Sequence, residues 1–144
     1  MAKEKLFQVG VKALIENDKG EILIFRADTS YDHIGDVDTY WDIAGGRIKE
    51  GQTIESTLQR EVEEETGISK IVASEFFTAV VSKHEIPFKD GVMSGLVLMI
   101  YKVKVPQNSK IVLSPEHDKY EWVDKKLAAK RLANKYPPEF TSLI

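Results

Sequence analysis

The segment that most restricts this chain runs from Thr53 to Gly67 and places four carboxylates in the five positions 61–65. It reads as a helix. Thr53 is an N-cap residue, Gly67 a C′ residue, and Ile54, Leu58 and Val62 recur at i, i+4 and i+8 as one apolar stripe. Acid near a helix C-terminus opposes the macrodipole, and Glu61 and Glu65, four residues apart, repel one another. Folding alone gives no reason for such a helix. At about 100° per residue from Glu61, the stripe centres about 60° round, with Glu65 at about 40° and Glu64 at about −60°. Glu63 points away. Glu61 and Glu65 therefore lie on or beside the face that meets the core, and Glu64 flanks it. Inward carboxylates are ruinous unless neutralised. No run of Lys or Arg stands opposite in sequence, and oxygen ligands suit a hard divalent cation, Mg²⁺ or Mn²⁺, rather than zinc. A solvated acidic face is the competing reading, and the angular positions of Glu61 and Glu65 weigh against it.

Gly45 and Gly46 close a strand just upstream, where glycines let backbone approach an ion or a phosphate. The remaining chain reads as strands mixed with one further helix. Leu6–Ile15 and Glu21–Arg26, either side of an Asn/Asp/Gly cluster, predict a hairpin. Ala27–Tyr40 is polar and reads as a loop, and Trp41–Ala44 as a short strand. Ile71–Ser82, Leu96–Val105 and Tyr120–Val123 predict strands. Asp124–Asn134 predicts a helix with Leu127 and Leu132 facing inward. Interspersed strands and helices give the α/β class, a mixed sheet with helices packed on it.

The 144 residues predict a single domain over 1–144. Twenty basic against 23 acidic side chains give a net charge of −3, which argues against binding nucleic acid through bulk charge. The absence of cysteine removes disulfides, thiolate catalysis and cysteine-ligated metals. No stretch has the apolar length of a signal peptide or a membrane span, so a cytoplasmic protein without membrane contact is expected.

The stretch Gly46–Ile68, GRIKEGQTIESTLQREVEEETGI, resembles the Nudix box of the MutT-like hydrolases, G-x5-E-x7-R-E-U-x-E-E-x-G-U with U aliphatic. Gly46, Arg60, Glu61, Val62, Glu64, Glu65, Gly67 and Ile68 match, and Gln52 replaces the first Glu. An amide still ligates a hard cation through its carbonyl but adds no charge. The resemblance implies a Nudix-type α/β/α sandwich with a mixed central sheet. It implies Mg²⁺-dependent cleavage of a nucleoside diphosphate linked to another moiety, giving a nucleoside monophosphate and a phosphorylated remainder. By the family pattern Glu64 and Glu65 are metal ligands and Glu61 is a ligand or base. Arg60 orients a Glu carboxylate or pairs with Glu64 on the surface, and the Gly45 carbonyl is a further ligand.

Outside the box, Glu116 is the candidate additional acid, with Glu85 behind it and His117 as a neighbour. Arg26 reaches a phosphate or simply ends a strand. Tyr31, Tyr40 and Trp41 stack on a base or pack in the core. Phe140 is a candidate substrate contact with Arg26 and Tyr40; it stands where enzymes of oxidised purine triphosphates read the base, and its identity argues mildly against that substrate. A small nucleotide, a nucleoside triphosphate above all, is the expected partner. The alternatives are an ADP-ribose or sugar-nucleotide pyrophosphatase, or a non-catalytic nucleotide- or RNA-binding module. The resemblance also allows a homodimer.

Overall fold

Strands β1 (Phe7–Ile15) and β2 (Ile22–Asp28) are near-continuous apolar runs, and runs of that kind are buried on both faces. In β1, Val11, Ala13 and Ile15 enter one hydrophobic core and Leu14 the other. In β2, Leu23 and Phe25 join the first core, Ile22 and Ile24 the second. The computed structural model describes residues 2–28 and 39–144.

The expected turn between these strands forms, with the Asn17 N–H donating to the Glu21 carbonyl at 3.0 Å. The expected hairpin does not. Beyond one Glu16–Ile22 bridge the strands part into different sheets, because each has two apolar faces to cover and finds other neighbours for them. The remaining strands are β3 (Thr39–Asp42), β4 (Ala44–Arg47), β5 (Ala73–Val81), β6 (Ile86–Pro87), β7 (Met93–Lys104) and β8 (His117–Val123). One sheet is mixed, in the order β4-β1-β7-β5 with β6 on β7, and its β1–β7 pair is parallel. The other is the antiparallel β3-β2-β8. The strand expected at Trp41–Ala44 is thus two, divided at Ile43 where the chain crosses from one sheet to the other. On the far side of that crossing Gly45 pairs with Lys12 and Gly46 with Val11.

Helix α1 (Ile54–Thr66) has the expected ends. The Thr53 hydroxyl accepts from the Ser56 N–H, the Ser56 hydroxyl accepts from the Thr53 N–H, both at 3.0 Å, and Gly67 closes the helix at φ 77°. Its Leu58 and Val62 fill the first core. Helices α2 (Lys125–Leu132) and α3 (Pro138–Thr141) bring Ala128, Leu132 and Phe140 to the second. Leu132 is fully buried and Leu127 packs at its margin. Helices on both sides of a mixed sheet make an α/β/α sandwich. Of the expected loop, the part containing Tyr31 lies outside the described residues. No helix among the described residues is long and apolar enough to cross a membrane.

Substituting Thr53→Ala removes half of the reciprocal cap and should cost about 1 kcal/mol, seen as a lower urea midpoint at unchanged slope.

Candidate active site

Burial of Leu58 and Val62 turns the next residues of the same stripe inward, and Glu65 is left only 4% exposed. Its Oε2 accepts the Gly45 N–H at 2.9 Å. Gly45 itself has φ 149°, and a Cβ there would run into the Val11 carbonyl and come within 2.6 Å of the Lys12 Cδ. At Gly46 a Cβ would occupy the space taken by the Glu61 carboxylate. The glycine pair therefore makes a cradle in which two carboxylates of α1 lie against backbone. Arg60 Nη2 donates to Glu61 Oε1 at 2.7 Å, while Arg60 Nε stands 3.9 Å from Glu64 Oε1.

These groups border a cavity of about 450 Å³. Glu61 and Glu65 line one wall, and Glu116 and His117 enter at the start of β8. Lys12, Tyr40, Asp42 and Lys135 are also in the lining, as are Arg47 and Lys49, whereas Ile86, Pro87, Phe88, Leu96 and Leu98 make an apolar part. Asp42 is saturated. Its Oδ1 accepts from the Tyr136 hydroxyl (2.5 Å) and the Ile43 N–H (2.8 Å), and its Oδ2 from Lys135 Nζ (2.6 Å) and Lys12 Nζ (3.1 Å). Lys12 Nζ also donates to the Ile43 carbonyl at 3.2 Å.

Two groups of charges in the lining differ in balance. Burial alone would raise the Asp42 carboxyl, but Lys12, Lys135 and the Tyr136 hydroxyl bring it well below the usual carboxylate range. Burial wins at Glu65, which is pushed up to about 8 despite Lys12 and the Gly45 amide. Burial also raises Glu61, and the Glu64 and Glu116 charges add to the effect. The α1 carboxylates are therefore short of positive charge. Among the described residues no three acidic or histidine side chains already form a cage. The glycine cradle and the all-oxygen donor set fit a hard divalent cation.

The cavity thus gathers Glu61, Glu65, Gly45, Glu116 and Tyr40 from the sequence candidates. Glu64 is on the exposed flank beside Arg60, with 59% of its side chain accessible. The structure corrects two expectations. Phe140 is fully buried in the core, its ring 4.9 Å from Tyr136 and 6.3 Å from Phe77, so it faces no ligand. Arg26 lies outside the cavity lining and commits its guanidinium to both oxygens of Asp118, at 2.9 and 3.0 Å. Trp41 is covered by Arg131, 4.6 Å from its ring centre, and Glu85 pairs with Lys5. Gln52 accepts the Lys49 N–H at 3.0 Å and so closes the turn before α1. Lys12, Asp42, Lys135 and Tyr136 escaped the sequence reading. The available signal was one lysine inside the apolar run of β1 and one aspartate between Trp41 and Ile43.

A family profile described as NUDIX domain matches residues 6–143. The nucleoside triphosphatase NudI of Escherichia fergusonii is 31% identical over 116 residues, covering 76% of this chain and 77% of that protein. An octanoyltransferase of Myxococcus xanthus is 31% identical over 94 residues, 65% of this chain, but the match spans only 25% of that protein. Among solved structures, the MutT protein of Methanosarcina mazei Go1 superposes with a TM-score of 0.70 at 27% identity, covering 98% of this chain and 92% of that one.

Two stability effects follow from the opposed charge balances. A Glu whose folded pKa is raised holds a proton that the unfolded chain has released, so the Glu65 contribution falls as pH rises from about 4.3 toward its folded value. Glu65→Gln should abolish that loss and raise the melting temperature at pH 8 measured in EDTA. Asp42 acts in the opposite sense: its contribution is present above about pH 3.9 and disappears as pH falls through that value toward the folded pKa. Asp42→Asn leaves two buried lysines poorly compensated and should cost about 3–5 kcal/mol by urea unfolding at pH 7.

Proposed function

Because the chain belongs to the NUDIX family, whose hydrolases act on pyrophosphate bonds in nucleotide-like substrates, we propose that it is a Mg²⁺-dependent pyrophosphohydrolase of small nucleotides, with nucleoside triphosphates as the favoured class. The observation that carries this reading is the cavity in which Glu61 and Glu65 meet the Gly45–Gly46 cradle next to an apolar part able to receive a base. The nucleoside triphosphatase relative supports the substrate class, and a cavity of about 450 Å³ suits a mononucleotide.

A bound Mg²⁺, or Mn²⁺ in its place, would neutralise the pyrophosphate and stabilise charge developing on the attacked phosphorus. The chain's own groups supply the rest. Glu61, Glu64 and Glu65 with the Gly45 carbonyl make the proposed ligand set. Glu65 is pre-oriented by the Gly45 amide and Glu61 by Arg60. Glu64, exposed beside Arg60, would be the third carboxylate to hold the ion. Glu116, which lines the same cavity and whose charge acts on Glu61, accepts the proton of the attacking water, with Glu61 the alternative base. Tyr40 and the Ile86–Phe88 segment enclose the base, and the cationic rim of Arg47 and Lys49 takes phosphate oxygens. With Gln52 occupied in the turn, its amide does not count against catalysis.

Nucleotide release from triphosphates, ADP-ribose, sugar nucleotides and dinucleoside polyphosphates, each with Mg²⁺ and with EDTA, tests the reading. Cation-dependent turnover of triphosphates to the monophosphate is expected. Silence across the panel with nucleotide binding intact would overturn catalysis. Glu61→Gln, Glu64→Gln and Glu65→Gln should each lower kcat by about 100-fold or more while leaving the fold intact.

A further inference from the structure

Lys12 is the one charged residue of β1, and no step of the proposed hydrolysis uses it. It stands directly across the β1–β4 ladder from Gly45, the residue whose amide holds Glu65. Its hydrocarbon stem fills the hollow left by the missing Gly45 side chain. Its ammonium, however, pairs with Asp42 at 3.1 Å and with the Ile43 carbonyl, and makes no ion pair with Glu65 or Glu61. Asp42 already takes four hydrogen bonds, so its position is fixed from three other directions and Lys12 is fixed with it.

We propose that Lys12 is a positioning residue of the cleft, a built-in counter-cation that Asp42 and the Ile43 carbonyl hold beside the α1 carboxylates rather than on them. There it offsets part of their charge in the folded chain and opposes, by like-charge repulsion, the divalent cation they take up. The inference rests on the reading of Glu61 and Glu65 as cation ligands. The three side chains line one cavity, and the Lys12 stem lies against Gly45, whose amide holds Glu65. A lysine collapsed onto Glu65 would block the site, and no lysine at all would leave the carboxylates to repel one another. The clamp to Asp42 avoids both.

The test is Mn²⁺ binding to the nucleotide-free protein, followed by the electron paramagnetic resonance of unbound Mn²⁺ at fixed pH and ionic strength. Lys12→Met keeps the stem against Gly45 and removes the charge. It should bind Mn²⁺ about tenfold tighter than the unaltered chain, since charges in the protein interior are weakly screened. In EDTA its melting temperature should be lower. Lys12→Gln retains a donor for Asp42 and should shift affinity in the same direction, which keeps the question answerable where the Met variant does not fold. Lys12→Arg restores the charge and should return affinity to within about twofold. A merely structural lysine predicts loosened, weaker binding in every variant. Binding by Lys12→Met or Lys12→Gln that is equal to or weaker than that of the unaltered chain overturns the proposal. No saturable Mn²⁺ binding by the unaltered chain would instead overturn the ligand assignment itself.

Discussion

Everything around the cavity depends on one carboxylate. Asp42 sits at the point where the chain leaves the antiparallel sheet for the mixed one, and its four hydrogen bonds reach β1, the crossing itself and the segment between α2 and α3. A carboxylate has about four acceptor directions, and here all are filled. Hydrogen bonds to charged groups are the strong ones, and in a dry interior their alternative is an uncompensated ion. The saturation also defines what Asp42 does not do: with no lone pair to spare, it orders the cavity floor and takes no proton from a substrate.

The α1 side of the lining shows the complementary arrangement. The α1 carboxylates are placed against the helix dipole, against each other and, for Glu65, against burial. Cores select apolar residues at such positions, and violations of that rule concentrate at functional sites. The Asp42 cluster is balanced within the chain, and the α1 carboxylates are not. The glycine pair makes room for this: a Cβ at Gly46 would occupy the space of the Glu61 carboxylate, and one at Gly45, whose amide holds Glu65, would collide with the Val11 carbonyl.

The sequence made α1 legible almost to the residue, because its caps, stripe and inward acids are local matters of 3.6-residue periodicity. Glu65 and Glu61 were readable for the same reason. Strand pairing was not. β1 and β2 are separated by a good turn, yet their partners were decided by which neighbours could cover two apolar faces, a property of the whole sheet. Side chains whose meaning depends on distant partners were equally hidden. Arg26 looked available until Asp118 came beside it, Phe140 stood among the candidate substrate contacts until the second core closed over it, and Lys12 acquired a role only once Asp42 and Gly45 stood next to it.

Asp42 is 93 positions from Lys135 and 94 from Tyr136 in the chain. Loop closure over such a span carries a large entropic cost that no single contact repays, so this joint exists only when the strands between have already brought its members together. The cavity floor is consequently a fastening made across nearly the whole fold and cannot persist in a fragment of it. The cleft is thereby tied to completeness of folding: a partly folded chain can carry the acidic helix without possessing the floor that helix faces.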